Sequence, residues 1–166
     1  HTKPASLTLA VSPSHLLAHF TPLRLLLNRP QLQADNKVTI WYAAGGLSVF
    51  TVLLCKAVGA ECVAVMSSDE KGELINLLYA TGYINRSEFA GMMRKGGEDK
   101  DEEKARFGES RRFAKAVKAI LGDAPDIVFE HVGQATFPTS VFTVKPCGKV
   151  VICGATSGYT LDFDGR

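Results

Sequence analysis

The sequence predicts an α/β protein, a doubly wound parallel sheet held between two layers of helices. Three observations predict it. Short runs rich in Val and Ile alternate with longer helical segments along the chain. The runs show little polar alternation, so both faces of each strand are expected to be buried, as in parallel sheets. The first run leads through a small-residue turn straight into an apolar helix, the junction on which such sheets bind anions. The 166 residues suffice for one domain with a substantial core. With 46% apolar residues, 22% charged residues and a net charge of +2, the chain is neither a disordered tail nor a fibre nor a coiled coil. That balance argues for no nucleic-acid and no membrane partner. No apolar run approaches the ~20 residues a membrane span needs.

Residues 1–13 mix Pro, Ser and Thr with scattered apolar residues and read as a flexible lead-in. The domain is expected over 14–166. The chain starts at His1 and stops at Arg166 without a terminating pattern, so a fragment of something larger is expected. Ser14 to Asn28 has helical apolar spacing, with Ser14 as N-cap and Pro22 as a kink. Lys37 to Tyr42 is the first strand, and Ala43-Ala44-Gly45-Gly46 the turn after it. Leu47 to Val58 is apolar nearly all round and predicts a fully buried helix, stopped by Gly59. Glu61 to Met66 is the second strand. Ser67-Ser68-Asp69 caps a helix from Glu70 to Ala80. Tyr83 to Asn85 is a third strand. Gly96 to Glu109 is charge-dense and reads as a solvated loop entering a long amphipathic helix, Glu103 to Leu121. Asp126 to Val132 and Lys149 to Cys153 are the fourth and fifth strands, with a short helix or turn at Phe137 to Val144 between them.

Cys55, Cys62, Cys147 and Cys153 form no C-x-x-C pair and sit in apolar stretches. They are expected as buried free thiols in a reducing, cytoplasmic setting. His15 and His19 have the spacing of one helix face but no accompanying Cys, Asp or Glu, so they read as surface or packing residues and no metal site is expected.

The candidate site residues fall where the strands end. Ala44, Gly45, Gly46 and Leu47 follow the first strand, where exposed amides and a helix N-terminus favour a pyrophosphate and a β-carbon would block close approach. Ser67, Ser68 and Lys71 follow the second strand. Two hydroxyls and a cation suit a 2′-phosphate, with Arg86 after the third strand as a further cation, which favours NADP over NAD. An N-cap with Asp69 and Glu70 complementing the helix dipole explains the same segment and is compatible with that role. His131 and Val132 after the fourth strand, and Cys153, Gly154 and Ala155 after the fifth, are placed to line the nicotinamide half. His131 is a pocket-shaping residue in this reading. No carboxylate–histidine–nucleophile arrangement surrounds it, and no catalytic residue is assigned.

The segments WYAAGGLSVF, CVAVMSSDEKGEL, TGYINRSEFAGM and the stretch from Asp126 to Asp164 resemble the crotonyl-CoA carboxylase/reductase family, medium-chain dehydrogenase/reductases with a Rossmann-like cofactor domain. The likeness runs from about Leu23 to Arg166. It implies an NADPH-dependent parent enzyme, in which hydride adds to the β-carbon of an enoyl-CoA and the enolate captures CO2 at the α-carbon. It implies that the 45–48 turn holds the pyrophosphate, that Ser67, Ser68 and Lys71 hold the adenosine phosphate, and that His131, Val132 and the 153–156 loop face the nicotinamide. It also implies Arg166 near bound CoA, a homo-oligomeric enzyme, and a catalytic domain outside this chain. The family turn reads G-A-A-G-G-L-G, and here Tyr42 replaces its first Gly and Ser48 its last. Tyr79 replaces a further Gly at a helix C-cap. Other readings are a non-carboxylating enoyl or quinone reductase domain, an inactive nucleotide-binding or oligomerisation module, and, ranked last, a methyltransferase.

Overall fold

The computed structural model describes residues 18–42 and 45–161. The expected lead-in 1–13, the N-cap Ser14, His15, Ala44 and Arg166 lie outside the described residues. Among the described residues five strands form one fully parallel sheet: β1 (Lys37–Trp41), β2 (Glu61–Met66), β3 (Gly82–Asn85), β4 (Ile127–Glu130) and β5 (Lys149–Ile152). Their order is β3-β2-β1-β4-β5, so the winding reverses between β1 and β4. Helices on both faces make the predicted three-layer sandwich.

Alternation along the strands sorts the core into two halves. Val38 and Ile40 of β1, Cys62 and Ala64 of β2, and Ile127 and Phe129 of β4 face one side. There they meet α1 (18–28), α2 (Gly46–Val58) and α3 (Asp69–Leu77) through Leu26, Val52, Cys55 and Ile75. Trp41, Val63, Val65 and Val128 face the other side, against Phe89 and Met92 of a 3-10 turn (Arg86–Met92) and Phe113, Val117 and Leu121 of α4 (Lys100–Leu121). Trp41 stacks on Phe113 with ring centroids 5.1 Å apart, and Phe89 meets Phe113 edge-on. A short α5 (Phe137–Thr143) closes this layer beside β4.

Several expectations are corrected. The expectation of two buried faces holds for β1, β2 and β4 but not for β3 and β5, which are the edges of the described sheet. Helix α2 is not buried all round. Ser48, Thr51, Val52 and Cys55 face the sheet, while Leu53 and Phe50 line an apolar groove with Pro22 and Leu23. Pro22 does not break α1 but changes its winding: residues 18–22 are α-helical and Leu23–Asn28 form a π-helix. A ring that clashes with the preceding turn and lacks an N–H is accommodated by the wider turn. Helix α3 ends at Leu77, short of Ala80, with Tyr79 left-handed at φ 69°. Most of the charge-dense stretch is helical. Asp99 caps α4 in a reciprocal box with Glu102, and Arg106 is buried against Glu98 at 2.8 Å. Cys55 and Cys62 are buried as expected, but Cys147 is exposed and Cys153 half-buried.

Candidate dinucleotide site at the carboxyl edge of the sheet

In a parallel sheet every strand ends on the same edge. The ladder aligns Trp41 with Val65, Met66 with Asn85, and Glu130 with Ile152. The next residues of the strands, in sheet order Arg86, Ser67, Tyr42, His131 and Cys153, lie along this edge. Continuing the registers sets Tyr42, His131 and Cys153 side by side, and likewise Ser67 and Arg86, with Ser67 one residue beyond Met66, the neighbour of Tyr42. Four of these five were predicted as cofactor-binding, and one edge brings them together. The reversal between β1 and β4 falls in the middle of the row, and that is where open α/β sheets form a ligand crevice.

At the centre, Gly45 is the N-cap of α2 and Gly46 its first residue. The amide of Val49 is bonded back to Gly45 O at 2.9 Å, so the helix ladder starts there. The amides of Gly46, Leu47 and Ser48 precede that bond and point out of the helix end. A β-carbon on Gly46 would meet nothing within 4 Å, so the approach to this end is open on that side. Ser48 is buried and its Oγ donates to Trp41 O at 3.3 Å, which ties the helix start to the end of β1. A small hydroxyl thus serves where the resembling family has Gly.

On the β2 side, Ser67 and Lys71 are exposed and Ser68 is half-buried. Ser68 sits at the N-cap of α3 but its side chain makes no cap bond, so that hydroxyl is not spent on the helix. Asp69 accepts from Asn85 Nδ2 at 3.2 Å. The Arg86 guanidinium reaches over the edge to the Tyr42 ring, 5.8 Å from its centroid.

On the β4 side the loop is held by a residue not among the predicted site. Glu130 is fully buried. Its Oε1 accepts from Val132 N at 2.7 Å, Gly133 N at 3.2 Å and Thr136 Oγ1 at 2.9 Å. Its Oε2 accepts from Ser140 Oγ, which in turn accepts from Trp41 Nε1 at 2.8 Å. A buried carboxylate with this many donors is satisfied and fixes the 131–133 backbone. The sequence signal was an acid, Glu130, directly after the apolar run Ile127-Val128-Phe129, with hydroxyls at Thr136 and Ser140 one turn apart. Val132 belongs to this frame: its carbonyl also accepts from Ser157 N at 2.8 Å. His131 Nδ1 is buried without a hydrogen-bond partner.

The β5 loop packs onto the β4 loop. A β-carbon on Gly154 would stand 2.9 Å from His131 O, so only glycine permits this approach. Gly133 is left-handed at φ 92°, and a β-carbon there would stand 2.9 Å from Ala155 Cα. The Cys153 thiol donates to Glu130 O at 3.3 Å. Burial, helped by the Glu130 charge, pushes that thiol up to about 12, so it keeps its proton at neutral pH.

A parallel sheet wound 3-2-1-4-5, with a glycine turn at its reversal point and a row of polar residues along the crevice, defines a dinucleotide-binding domain. The model of the family described as "Zinc-binding dehydrogenase" matches residues 46–165, and the chain belongs to that family. Within it the chain is homologous to the crotonyl-CoA carboxylase/reductases. It is 35% identical to the crotonyl-CoA carboxylase/reductase of Cereibacter sphaeroides over 99% of this chain and 39% of that protein. The solved crotonyl-CoA carboxylase/reductase AntE in complex with NADP is 35% identical, with a TM-score of 0.87, over 99% of this chain and 42% of that one. The 2-octenoyl-CoA carboxylase reductase CinF, solved with NADP and 2-octenoyl-CoA, is 36% identical, with a TM-score of 0.86, over 100% of this chain and 37% of that one. The chain thus spans about two fifths of the length of these relatives. The family's description carries a metal, yet among the described residues no group of three His, Cys, Asp or Glu lies together to hold one. No chemistry of this chain is assigned to zinc.

Proposed function

We propose that this chain is the NADPH-binding domain of an enoyl-CoA carboxylase/reductase. The observation that carries the proposal is the row of strand-end residues, centred on the glycine turn at the point where the sheet winding reverses. Two solved relatives with the same fold over nearly the whole chain hold NADP, which supports the cofactor. The first amides of α2, at Gly46, Leu47 and Ser48, bind the pyrophosphate at the positive end of the helix. Ser67, Ser68 and Lys71 bind the 2′-phosphate, with Arg86 as a further cation. His131 and the Cys153–Ala155 loop wall the nicotinamide, and the Glu130 network holds that wall still. Cys153 acts there by shape, since its thiol stays protonated. The bound cofactor supplies hydride to the β-carbon of an enoyl-CoA, and CO2 is captured at the α-carbon. The remaining parts of a longer parent enzyme, a cytoplasmic homo-oligomer, complete the acyl-CoA site.

The test is cofactor discrimination. Only NADPH carries the 2′-phosphate, so Lys71→Ala should weaken NADPH by about tenfold, roughly 1.4 kcal/mol, and leave NADH nearly unchanged. Equal losses for both cofactors, read by fluorescence titration, would remove Lys71 from this role.

A further inference from the structure

Tyr42 is the one member of the strand-end row that is neither small nor charged nor an imidazole. Its backbone is left-handed, at φ 60°, a conformation that suits glycine and strains a bulky residue. The residue is 46% exposed and belongs to neither buried cluster, so no deep core contact compensates for that strain. Its ring instead lies across the crevice. Tyr42 Cδ1 would be 3.5 Å from a β-carbon on Gly45, which places the ring over the start of α2. On the β4 side it stacks against His131, with centroids 6.0 Å apart and planes 22° from parallel. On the β3 side the Arg86 guanidinium meets it, 5.8 Å from the centroid. Three groups assigned above to the cofactor, the Gly45 turn, His131 and Arg86, are thus held by one side chain of the protein itself.

We infer that the Tyr42 ring is a built-in competitor for the dinucleotide crevice, one that NADPH must displace in order to bind. This rests on the reading of the crevice as an NADPH site. The ring belongs to neither buried cluster, so its departure opens no core contact. Displacement frees the helix end for the pyrophosphate, His131 for the nicotinamide side and Arg86 for the adenosine phosphate. The apparent affinity is then the intrinsic affinity reduced by the fraction of molecules with the ring swung out. If one molecule in about ten is open, binding is about tenfold weaker than the cradle itself allows.

The experiment titrates NADPH into the 166-residue chain and into its Tyr42→Ala and Tyr42→Gly variants, with circular dichroism as the check on folding. Alanine removes the ring but keeps the β-carbon and its left-handed strain; glycine removes both. The expected result is at least tenfold tighter NADPH binding in both variants. Equal affinity in all three proteins overturns the competitor role and leaves the NADPH site standing. A gain in Tyr42→Gly alone also overturns it, because relief of backbone strain then explains the change. If all three are folded and none binds, the NADPH reading itself fails and the competitor role falls with it.

Discussion

Tyr42 and Tyr79 sit at φ 60° and φ 69°, the two places where the resembling family has glycine and this chain has an aromatic ring. Each ring finds a cation: Arg86 over Tyr42, and Lys56 Nζ 2.9 Å from the centroid of Tyr79. A cation–π contact of about 0.5–1 kcal/mol at such exposed sites offsets part of a left-handed strain of about 1–2 kcal/mol. Cys153 gives a pH-dependent prediction. Burial and the Glu130 charge make the folded chain hold the thiol proton more tightly than the unfolded chain does. Its contribution to stability is therefore intact below the ordinary thiol value of 9.0 and is lost as the pH rises towards about 12. The urea midpoint should fall as the pH rises from 9.0 towards about 12, and Cys153→Ala should flatten that fall. An equally steep fall in the variant would contradict the assignment. The thiol states were only partly legible in the sequence. Cys55 and Cys62 lie inside element patterns that place them in the core. Cys147 stands in the turn before β5, left-handed at φ 63°, and the apolar residues around it did not show that the turn faces outward.

At the scale of elements, the β4 loop is the part of the site with the most structure behind it. Glu130 gathers two amides and two hydroxyls from the loop and from α5, and through Ser140 it reaches Trp41 of β1. Glu130→Ala would leave those donors buried without an acceptor. The expected loss is about 3–5 kcal/mol, read from urea denaturation. A loss under about 1 kcal/mol would mean that the network does not hold the loop. Element type was legible nearly throughout, because strand and helix periods differ and Gly59 marks a helix end plainly. Element edges were less so. The start of α4 was placed late because Lys100 to Glu103 looks like a solvated charge run. The capping box of Asp99 and Glu102 turns those same charges into a helix start. The Glu130 network was missed because it joins residues from three elements, and its hydroxyls at Thr136 and Ser140 look like groups facing water until α5 is folded onto β4. The outer face of α2 was misjudged for a related reason: periodicity counts apolar residues but does not say which of them another element covers.

Over the whole molecule, the order β3-β2-β1-β4-β5 decides what the chain can bind, because it sets one polar row beside a helix N-terminus at a single reversal point. That row was legible residue by residue, since a candidate follows each strand and parallel strands share an edge. What the sequence did not show was the state of the row's centre, where the Tyr42 ring spans from Gly45 to His131. At the far side, β5 forms an edge of the described sheet with Ile152 partly exposed, the kind of edge on which a further strand or another chain pairs. A fluorescence titration of the 166-residue chain with NADPH, with NADH as the control, reads whether this edge is an NADPH site. Saturable binding that prefers NADPH is the predicted result. A folded chain that binds neither cofactor, or both equally, would contradict the account.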